Sequence, residues 1–369
     1  MLSVLHVLSS LELGGAERFV VELAQFQRKE KLDAQILCLG SESNFLVSEV
    51  RNRKIPLTIS EIGFNRFKRY IQILSIVRQF DAVHIHSRGS LRFISPLLPF
   101  FFRTKVIYTR HGLDPQNSVT LKLLYSVLRP FIHYITFVTK TGHDVFVKNH
   151  HWNNSKLLVI HNGIHVSDDY SKGSKHAAKN TIRFGSVGRM IALKGQSILL
   201  DATVKTLQSI KGSDEHKFVV NFFGSGPLET LLKEQSKTIG KDVITFFGEK
   251  SDLDEIYECI DVLVVASSSE GLSMVIIEAM ARGIPVIATE VGGNPSLVYD
   301  GITGILIPYG CSKSMAEAMT KLIYHIDYIE KYGLAAQELI RSKFTLQQTH
   351  LAYLECYKTK NSPRYDDRS

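Results

Sequence analysis

Residues 267–293 read SSSEGLSMVIIEAMARGIPVIATEVGG, and this stretch decides the fold. Apolar runs at 262–266 and 285–288 predict buried parallel strands. Between them 274–282 predicts a short helix, capped at its start by Ser273 and stopped by Gly283 with Pro285 beyond it. Glu270 falls on the loop before that helix, and Glu278 about one turn inside it. The loop aims Glu270, and the amides of Gly271, Leu272 and Ser273, at whatever occupies the crevice above the sheet. Free N–H groups at a helix start attract anions, phosphate above all. A carboxylate beside them suits a ligand that carries sugar hydroxyls next to its phosphates. Val275, Ile276 and Ile277 flank Glu278 and argue against a freely solvated face.

Outward from this stretch the chain alternates strand and helix. Gly188-Arg189-Met190, then Lys194-Gly195, come after a strand at 183–187. Arginine offers a planar fork of donors and lysine a compact charge. An isolated pair would read as two solvated cations; five residues apart on one strand-end loop, they can converge on a diphosphate. Phe223-Gly224-Ser225-Gly226-Pro227 closes a strand at 218–223, and Phe247-Gly248-Glu249-Lys250 closes one at 243–247. Beyond 285–288 come a strand at 304–307, helices at 314–329 and 329–343, and an amphipathic helix at 346–358. That last helix is read with Leu346, Leu351, Leu354 and Tyr357 on one side. The first half holds a second series, with strands at 3–8, 34–39, 57–62, 82–86, 106–108, 135–138 and 157–160 and helices at 45–53 and 66–79. After the first strand, Gly14-Gly15-Ala16-Glu17-Arg18 opens a helix marked by Phe19, Val20, Leu23, Ala24 and Phe26. Strand, glycine turn, helix is the phosphate-approach layout of α/β folds. Repeated βα units predict parallel sheets with helices on both faces.

These motifs resemble those of the retaining glycosyltransferases of family 4. Glu270-Gly271 and Glu278-Ala279-Met280 match that family's paired glutamates, and the run from Gly283 to Thr289, with Gly292-Gly293, matches its trailing segment. Gly14-Gly15-Ala16-Glu17-Arg18 matches its first loop letter for letter, and Asn162-Gly163 its end of the first domain. The resemblance spans about residues 3–358. It implies the GT-B fold, two Rossmann-like doubly wound α/β domains facing across a cleft. The domains would be an acceptor-side domain at 1–165 and a nucleotide-sugar-binding domain at 182–345, with a linker at 166–181. A helix at 346–360 would cross back to the first domain, ahead of a tail at 361–369.

The resemblance implies the site as well. Glu270 would touch donor-sugar hydroxyls, Glu278 the ribose, and Arg189 and Lys194 the diphosphate, with Gly14 and Gly15 facing it. Gly224, Gly248 and Glu249 would complete the donor pocket with Gly271, Leu272 and Ser273. His111, just past a strand end, would sit beside the donor sugar, and with Glu270, Arg189 and Lys194 would make the catalytic set. The donor would be a UDP- or GDP-sugar, with no other cofactor and no metal. The acceptor would be a glycan or a lipid-linked glycan of lipopolysaccharide, capsule or exopolysaccharide. Two positions depart from the pattern: His165 stands where the family usually has Asp, and Ser296 where it often has Glu after Gly-Gly-x-Pro.

Composition bounds these readings. A chain of 369 residues predicts two domains. Cys38, Cys259, Cys311 and Cys356 are scattered, with neither metal-ligand spacing nor a disulfide framework, which fits a reduced cytoplasm. Residues 1–10 lack a basic leader and a cleavage site and read as a strand, not a signal peptide. The near-apolar run at 93–102 is too short to span a bilayer. Asp252-Leu253-Asp254 has the form of a metal-binding pair but reads as a helix cap after Lys250-Ser251. His84 and His86 are read as alternating in facing along their strand, one of them a satisfied core residue.

The net charge of +8 is uneven: residues 1–165 carry 21 Lys and Arg against 11 Asp and Glu. Phe64, Arg66, Phe67, Lys68, Arg69 and Tyr70, with Arg88, Arg92, Phe93, Phe100 to Phe102, Arg103 and Lys105, mix cations with aromatics. Such a mixture suits an anionic inner-leaflet surface; its plain alternative is a core-facing helix with a solvated basic side. Two other functions are weighed. A GT-B sugar-nucleotide epimerase would need its own acid/base pair. A nucleic-acid-binding protein would need a binding module that is not recognisable here, so no nucleic-acid partner is expected.

Overall fold

Strands that are apolar along their whole length need cover on both faces, and the computed structural model of this chain supplies it twice. It describes residues 1–60, 65–112, 119–150, 152–167, 181–210, 217–240 and 242–358. Phe64, most of the expected linker and the tail lie outside them. The chain divides into two compact units, Met1–His165 with Thr345–Ser369, and Val166–Phe344.

The N-terminal domain alternates β1 (Ser3–Leu8), α1 (Gly15–Lys29), β2 (Asp33–Cys38), α2 (Val47–Asn52), β3 (Leu57–Ile59), α3 (Arg66–Val77), β4 (Ala82–Ile85), α4 (Arg88–Ile94), β5 (Lys105–Arg110), α5 (Val119–Leu128), β6 (Tyr134–Phe137), α6 (Lys140–Asn149) and β7 (Leu157–Val159). Its sheet is parallel, in the order β3-β2-β1-β4-β5-β6-β7. The order reverses between β1 and β4, so right-handed crossovers put α1 and α2 on one face and α3 to α6 on the other. One apolar core lies under α3 to α6: Ile73, Val77, Leu91, Tyr125 and Phe146 pack with Val7, Leu37, Val83, Ile85 and Tyr108. The opposite face carries His6, His84, Thr109 and Thr136, all buried.

The C-terminal domain runs β8 (Thr181–Val187), α7 (Gln196–Ser209), β9 (Lys217–Phe223), α8 (Glu229–Ser236), β10 (Ile244–Gly248), α9 (Leu253–Tyr257), β11 (Val262–Val265), α10 (Met274–Ala281), β12 (Val286–Thr289), β13 (Gly304–Ile307), α11 (Ser312–Tyr324) and α12 (Asp327–Lys343). Its parallel order is β10-β9-β8-β11-β12-β13, reversing between β8 and β11. Thr181 opens β8 instead of ending a linker. The break between the late helices falls at His325 and Ile326, not at Ile329: His325 leaves helical geometry, and Asp327 and Glu330 supply a fresh acidic first turn.

The last helix, α13 (Leu346–Lys358), belongs to the N-terminal domain and packs on α1. Leu346 N donates to Ile164 O at 2.9 Å, and Thr349 Oγ1 to His161 O at 2.8 Å. Its buried face is Leu346, Thr349, His350, Tyr353, Cys356 and Tyr357. Leu351, expected on that face, is 52% exposed. Steps of three and four from Leu346 reach 349, 350, 353 and 357, whereas 351 points away. His84 and His86 correct another expectation. Positions two apart on a strand share a face, and both rings are buried on the α13 side.

Candidate active site

At the carboxyl ends of the C-terminal strands, successive loops are stitched together. Gly188 N donates to Phe223 O at 2.9 Å, Met190 N to Ser225 O at 2.8 Å, and Gly224 N to Gly248 O at 2.7 Å. Ser225 Oγ donates to Glu249 Oε1 at 2.5 Å. Gly188, Arg189, Gly224, Gly248 and Glu249 therefore come together, with the Arg189 side chain exposed.

The next loop brings the charged pair. Lys194 ends a 3-10 turn, Ala192–Lys194, and its Nζ lies 2.7 Å from Glu270 Oε1. The pair is partly desolvated, Lys194 being 27% and Glu270 10% exposed in their side chains. Ser267 Oγ donates to the same Oε1 at 2.6 Å. Two glycines make this approach possible. Gly195 has φ +66°, and a Cβ there would collide with the Ala266 carbonyl oxygen. Gly292 has φ +55°, and a Cβ there would collide with the Glu270 carbonyl oxygen. The 290–293 loop thus lies directly against the backbone that carries Glu270.

Past Glu270, the amides of Gly271, Leu272 and Ser273 make no hydrogen bond among the described residues. Ser273 occupies the N-cap position of α10 with extended backbone, but its hydroxyl makes no capping bond, unlike the expected role. Three successive N–H groups at a helix start, two of them on buried residues, are suited to an anion. Glu278 is 7% exposed, and its Oε2 accepts from Tyr257 Oη at 2.7 Å. Arg282 lies over the Tyr257 ring at 4.9 Å and bonds Asp254 at 2.7 Å, locking that tyrosine in place. Asp252 caps α9, its carboxylate accepting from Asp254 N at 2.9 Å.

In the N-terminal domain, Gly14 is the N-cap of α1 and Gly15 its first residue. Phe19, one turn into that helix, meets the His111 ring at 5.8 Å. His111 comes after β5, half-buried, with Nε2 3.2 Å from His86 Nδ1 and Nδ1 3.4 Å from Asn162 Nδ2. Burial pushes the His6 and His111 pKa values down to about 4 and holds His84 and His86 well below the ordinary range.

The expected basic and aromatic surface is only partly outward. Arg69 is buried, donating to Ser60 O at 2.6 Å and lying 4.4 Å from the Phe93 ring. Phe101 is buried, and Lys105 Nζ donates to Tyr357 O at 3.0 Å. Arg66, Phe67, Lys68, Arg92, Phe100, Phe102 and Arg103 are exposed. Among the described residues no helix is long and apolar enough to cross a membrane.

Ser267, Tyr257 and Gly292 orient the C-terminal loops, and Phe19 meets His111 within the N-terminal domain; the sequence alone assigned none of the four a role. Gly292 alone carried a signal, as a paired glycine after a strand; Tyr257 sits on a five-residue helix with no distinguishing spacing.

Two family models match the chain. "Glycosyltransferase Family 4" covers residues 13–168, and "Glycosyl transferases group 1" covers 181–325. A 41.2 kDa protein in the cps region of Klebsiella pneumoniae is 23% identical over 97% of this chain and all of its own length. The Escherichia coli UDP-Gal:alpha-D-GlcNAc-diphosphoundecaprenol alpha-1,3-galactosyltransferase is 24% identical over 87% of this chain and 88% of its own. Anabaena HepE, solved in complex with UDP and glucose, superposes with a TM-score of 0.81 over 96% of this chain and 99% of its own, at 19% identity. The two doubly wound domains, the loops at their strand ends and the two models that between them cover most of the sequence make this chain a member of the family 4 glycosyltransferases, with the GT-B fold.

Proposed function

We propose that the protein moves a hexose from a UDP-linked donor to a lipid-linked glycan, with retained anomeric configuration and without a metal. One observation carries this reading: the Lys194–Glu270 pair beside three unpartnered amides at the start of α10. A pyrophosphate competes for Lys194, Arg189 and those amides, and a sugar hydroxyl competes for Glu270. Both Glu270 contacts fall on Oε1, so Oε2 is the edge that meets the sugar. Glu278, oriented by Tyr257, takes the ribose, and the 224 and 248 loops take the base. Gly14 and Gly15 at the start of α1 and His111 after β5 are the N-terminal domain's own candidates for ligand contact. The UDP of the HepE complex and the UDP-Gal of the E. coli relative favour UDP over GDP.

The chemistry is set by where charge develops. The anomeric C–O bond to the diphosphate breaks, the ring becomes oxocarbenium-like, and negative charge grows on the leaving phosphate. Lys194, Arg189 and the α10 amides stabilise that charge in place of a divalent ion. The acceptor hydroxyl attacks from the same face; its proton passes to the departing phosphate oxygen as the new C–O bond forms. No separate base is required.

The acceptor is read from the E. coli relative's diphosphoundecaprenol substrate and from the outer layer of the N-terminal domain. There Val119, Leu123 and Val127 recur every fourth residue on α5, exposed, and Phe67 and Phe102 are 70% and 84% exposed. Arg66, Lys68, Arg92, Arg103 and Lys122 stand among the same elements. Such a face docks on an anionic cytoplasmic leaflet, where a lipid-linked acceptor is found. Thermal protection across UDP-, GDP- and ADP-sugars, together with product analysis, tests the enzyme. UDP-sugars should protect, and UDP should be released with a glycosylated acceptor. Protection by none of them, or an isomerised sugar with no UDP, would refute it.

A further inference from the structure

The sheet of the N-terminal domain buries a line of imidazoles that hydrogen-bond to one another. His6 on β1 is paired with His84 on β4, and His86 lies just beyond β4. His6 Nε2 is 2.7 Å from Gln27 Oε1, His6 Nδ1 is 2.8 Å from His86 Nε2, and His86 Nδ1 is 3.2 Å from His111 Nε2. The line starts on α1, at a glutamine with no exposed surface, and ends on the ring beside Phe19 at the end of β5.

Its direction is set by what each end can donate. A neutral imidazole has one N–H and one lone pair, and burial keeps these rings neutral. Gln27 Oε1 only accepts, so His6 carries its proton on Nε2 and offers a lone pair at Nδ1. His86 must then donate from Nε2 and accept at Nδ1. His111 in turn donates from Nε2, which leaves its lone pair on Nδ1. Asn162 Nδ2 donates to that lone pair at 3.4 Å, long enough to yield to a ligand. The other end of the Gln27 amide, Nε2, is buried with no hydrogen-bond partner among the described residues. An amide turned over would reverse every proton in the line.

We infer that Gln27, His6 and His86 are positioning residues that hold His111 as the Nε2–H tautomer, so that its Nδ1 accepts a hydrogen bond from a sugar hydroxyl. The sugar group facing His111 is then a proton donor, a hydroxyl and not a carboxylate. This rests on the proposed function, whereas the tautomer itself does not depend on any ligand. His6, His84 and His86 also bring three nitrogens within 4.8 Å, a spacing open to a metal ion. Each ring nitrogen already has a protein partner, with Tyr357 and Thr109 holding His84 at 2.7 and 2.6 Å. The relay is therefore the reading the contacts favour.

Long-range ¹H–¹⁵N spectra of the full chain, labelled in histidine and free of ligand, test it near pH 7. Single Nε2–H patterns are expected at His6, His86 and His111. Gln27→Leu should introduce Nδ1–H populations at all three together, and Gln27→Glu, which keeps an acceptor, should restore the single pattern. With the two tautomers equal, donor affinity in Gln27→Leu falls about twofold. An Nδ1–H or a charged ring at His111 in the wild type would overturn the relay, as would a response to Gln27→Leu confined to His6. Stoichiometric zinc in the purified protein, with nitrogens shifted by the ion, would replace it with a metal site. If Gln27→Leu does not fold, the wild-type spectrum decides alone. Expected tautomers with no donor binding would refute the proposed donor site and leave the relay standing.

Discussion

The two domains repeat one topology and furnish their strand ends in opposite ways. The C-terminal domain ends its strands in charge, with Lys194 and Glu270 in contact and Arg189 exposed. The N-terminal domain ends its strands in neutral rings, His86 and His111, joined to a buried polar layer. A charged pair serves a ligand because its partners are exchangeable: each can trade the other for a phosphate or a hydroxyl. A neutral line serves by direction, since one acceptor at its far end decides which nitrogen faces out. The first arrangement is sensitive to removal of a charge, the second to a change in proton count.

The largest effect should come from breaking the charged half. Lys194→Ala and Glu270→Ala should each lower kcat by about a hundredfold, the cost of one preorganised polar group being about 3 kcal/mol. Their melting temperatures should change little, because Ser267 Oγ still satisfies Glu270 when Lys194 is removed and the Lys194 ammonium reaches solvent when Glu270 is removed. Transfer rates near wild type in both variants would remove the charged pair from catalysis. A smaller loss should come from Gly292→Ala. Its φ of +55° and the collision with the Glu270 carbonyl force the 290–293 loop to shift, at about 1–3 kcal/mol of strain. Activity should fall about tenfold, with Glu270 displaced in a crystal of the variant; an unmoved Glu270 would separate the loop from the site.

Acidification should distinguish the domains. The folded pKa values of His6 and His111, about 4, lie below the ordinary value of 6.5, and those of His84 and His86 are also lowered. Between those limits the unfolded chain binds more protons than the folded one, so stability rises with pH. The contribution of His6 and His111 is whole above about pH 6.5 and is lost as pH falls toward about 4, and the burial of His84 and His86 acts in the same direction. Hydrogen exchange, corrected for intrinsic rates, should speed up in β4 and β5 over this range and much less in β11 and β12. Equal acceleration in both sheets would mean that the histidine layer does not control the N-terminal domain's stability.

Much of the C-terminal half was legible in the sequence because its signals are local. Glu270, Glu278, Arg189 and Lys194 sit at fixed distances from apolar runs, and a strand end delivers the loop beyond it to the same edge. The part that was not legible comes from strands and helices distant in the chain. His6 meets His86 across a sheet, and Gln27 reaches His6 from a helix. Single-element periodicity carries none of that; applied correctly, it does put His84 and His86 on one face. Arg69 shows the same limit. It read as surface charge, yet it turns inward because Ser60 and Leu39 offer oxygens and Phe93 a ring face. Tyr257 needed the fold as well, since only the packing of α9 against α10 brings its hydroxyl to Glu278.

The smallest effect expected concerns Asp252, and it bears on whether the charged half needs a metal. Asp252 and Asp254 have the sequence form of an ion-binding pair, but one carboxylate caps α9 and the other holds Arg282. A cap of this kind contributes about 1 kcal/mol. Asp252→Ala should therefore lower the melting temperature by a few degrees while transfer stays near wild type, and a chelator should leave both proteins active. If transfer instead collapses in the variant and in chelator alike, and a divalent ion restores the wild type, then Lys194, Arg189 and the α10 amides do not suffice for the leaving diphosphate. The exchangeable pair would then hold the sugar side of the donor, and its charge would be incomplete without the ion.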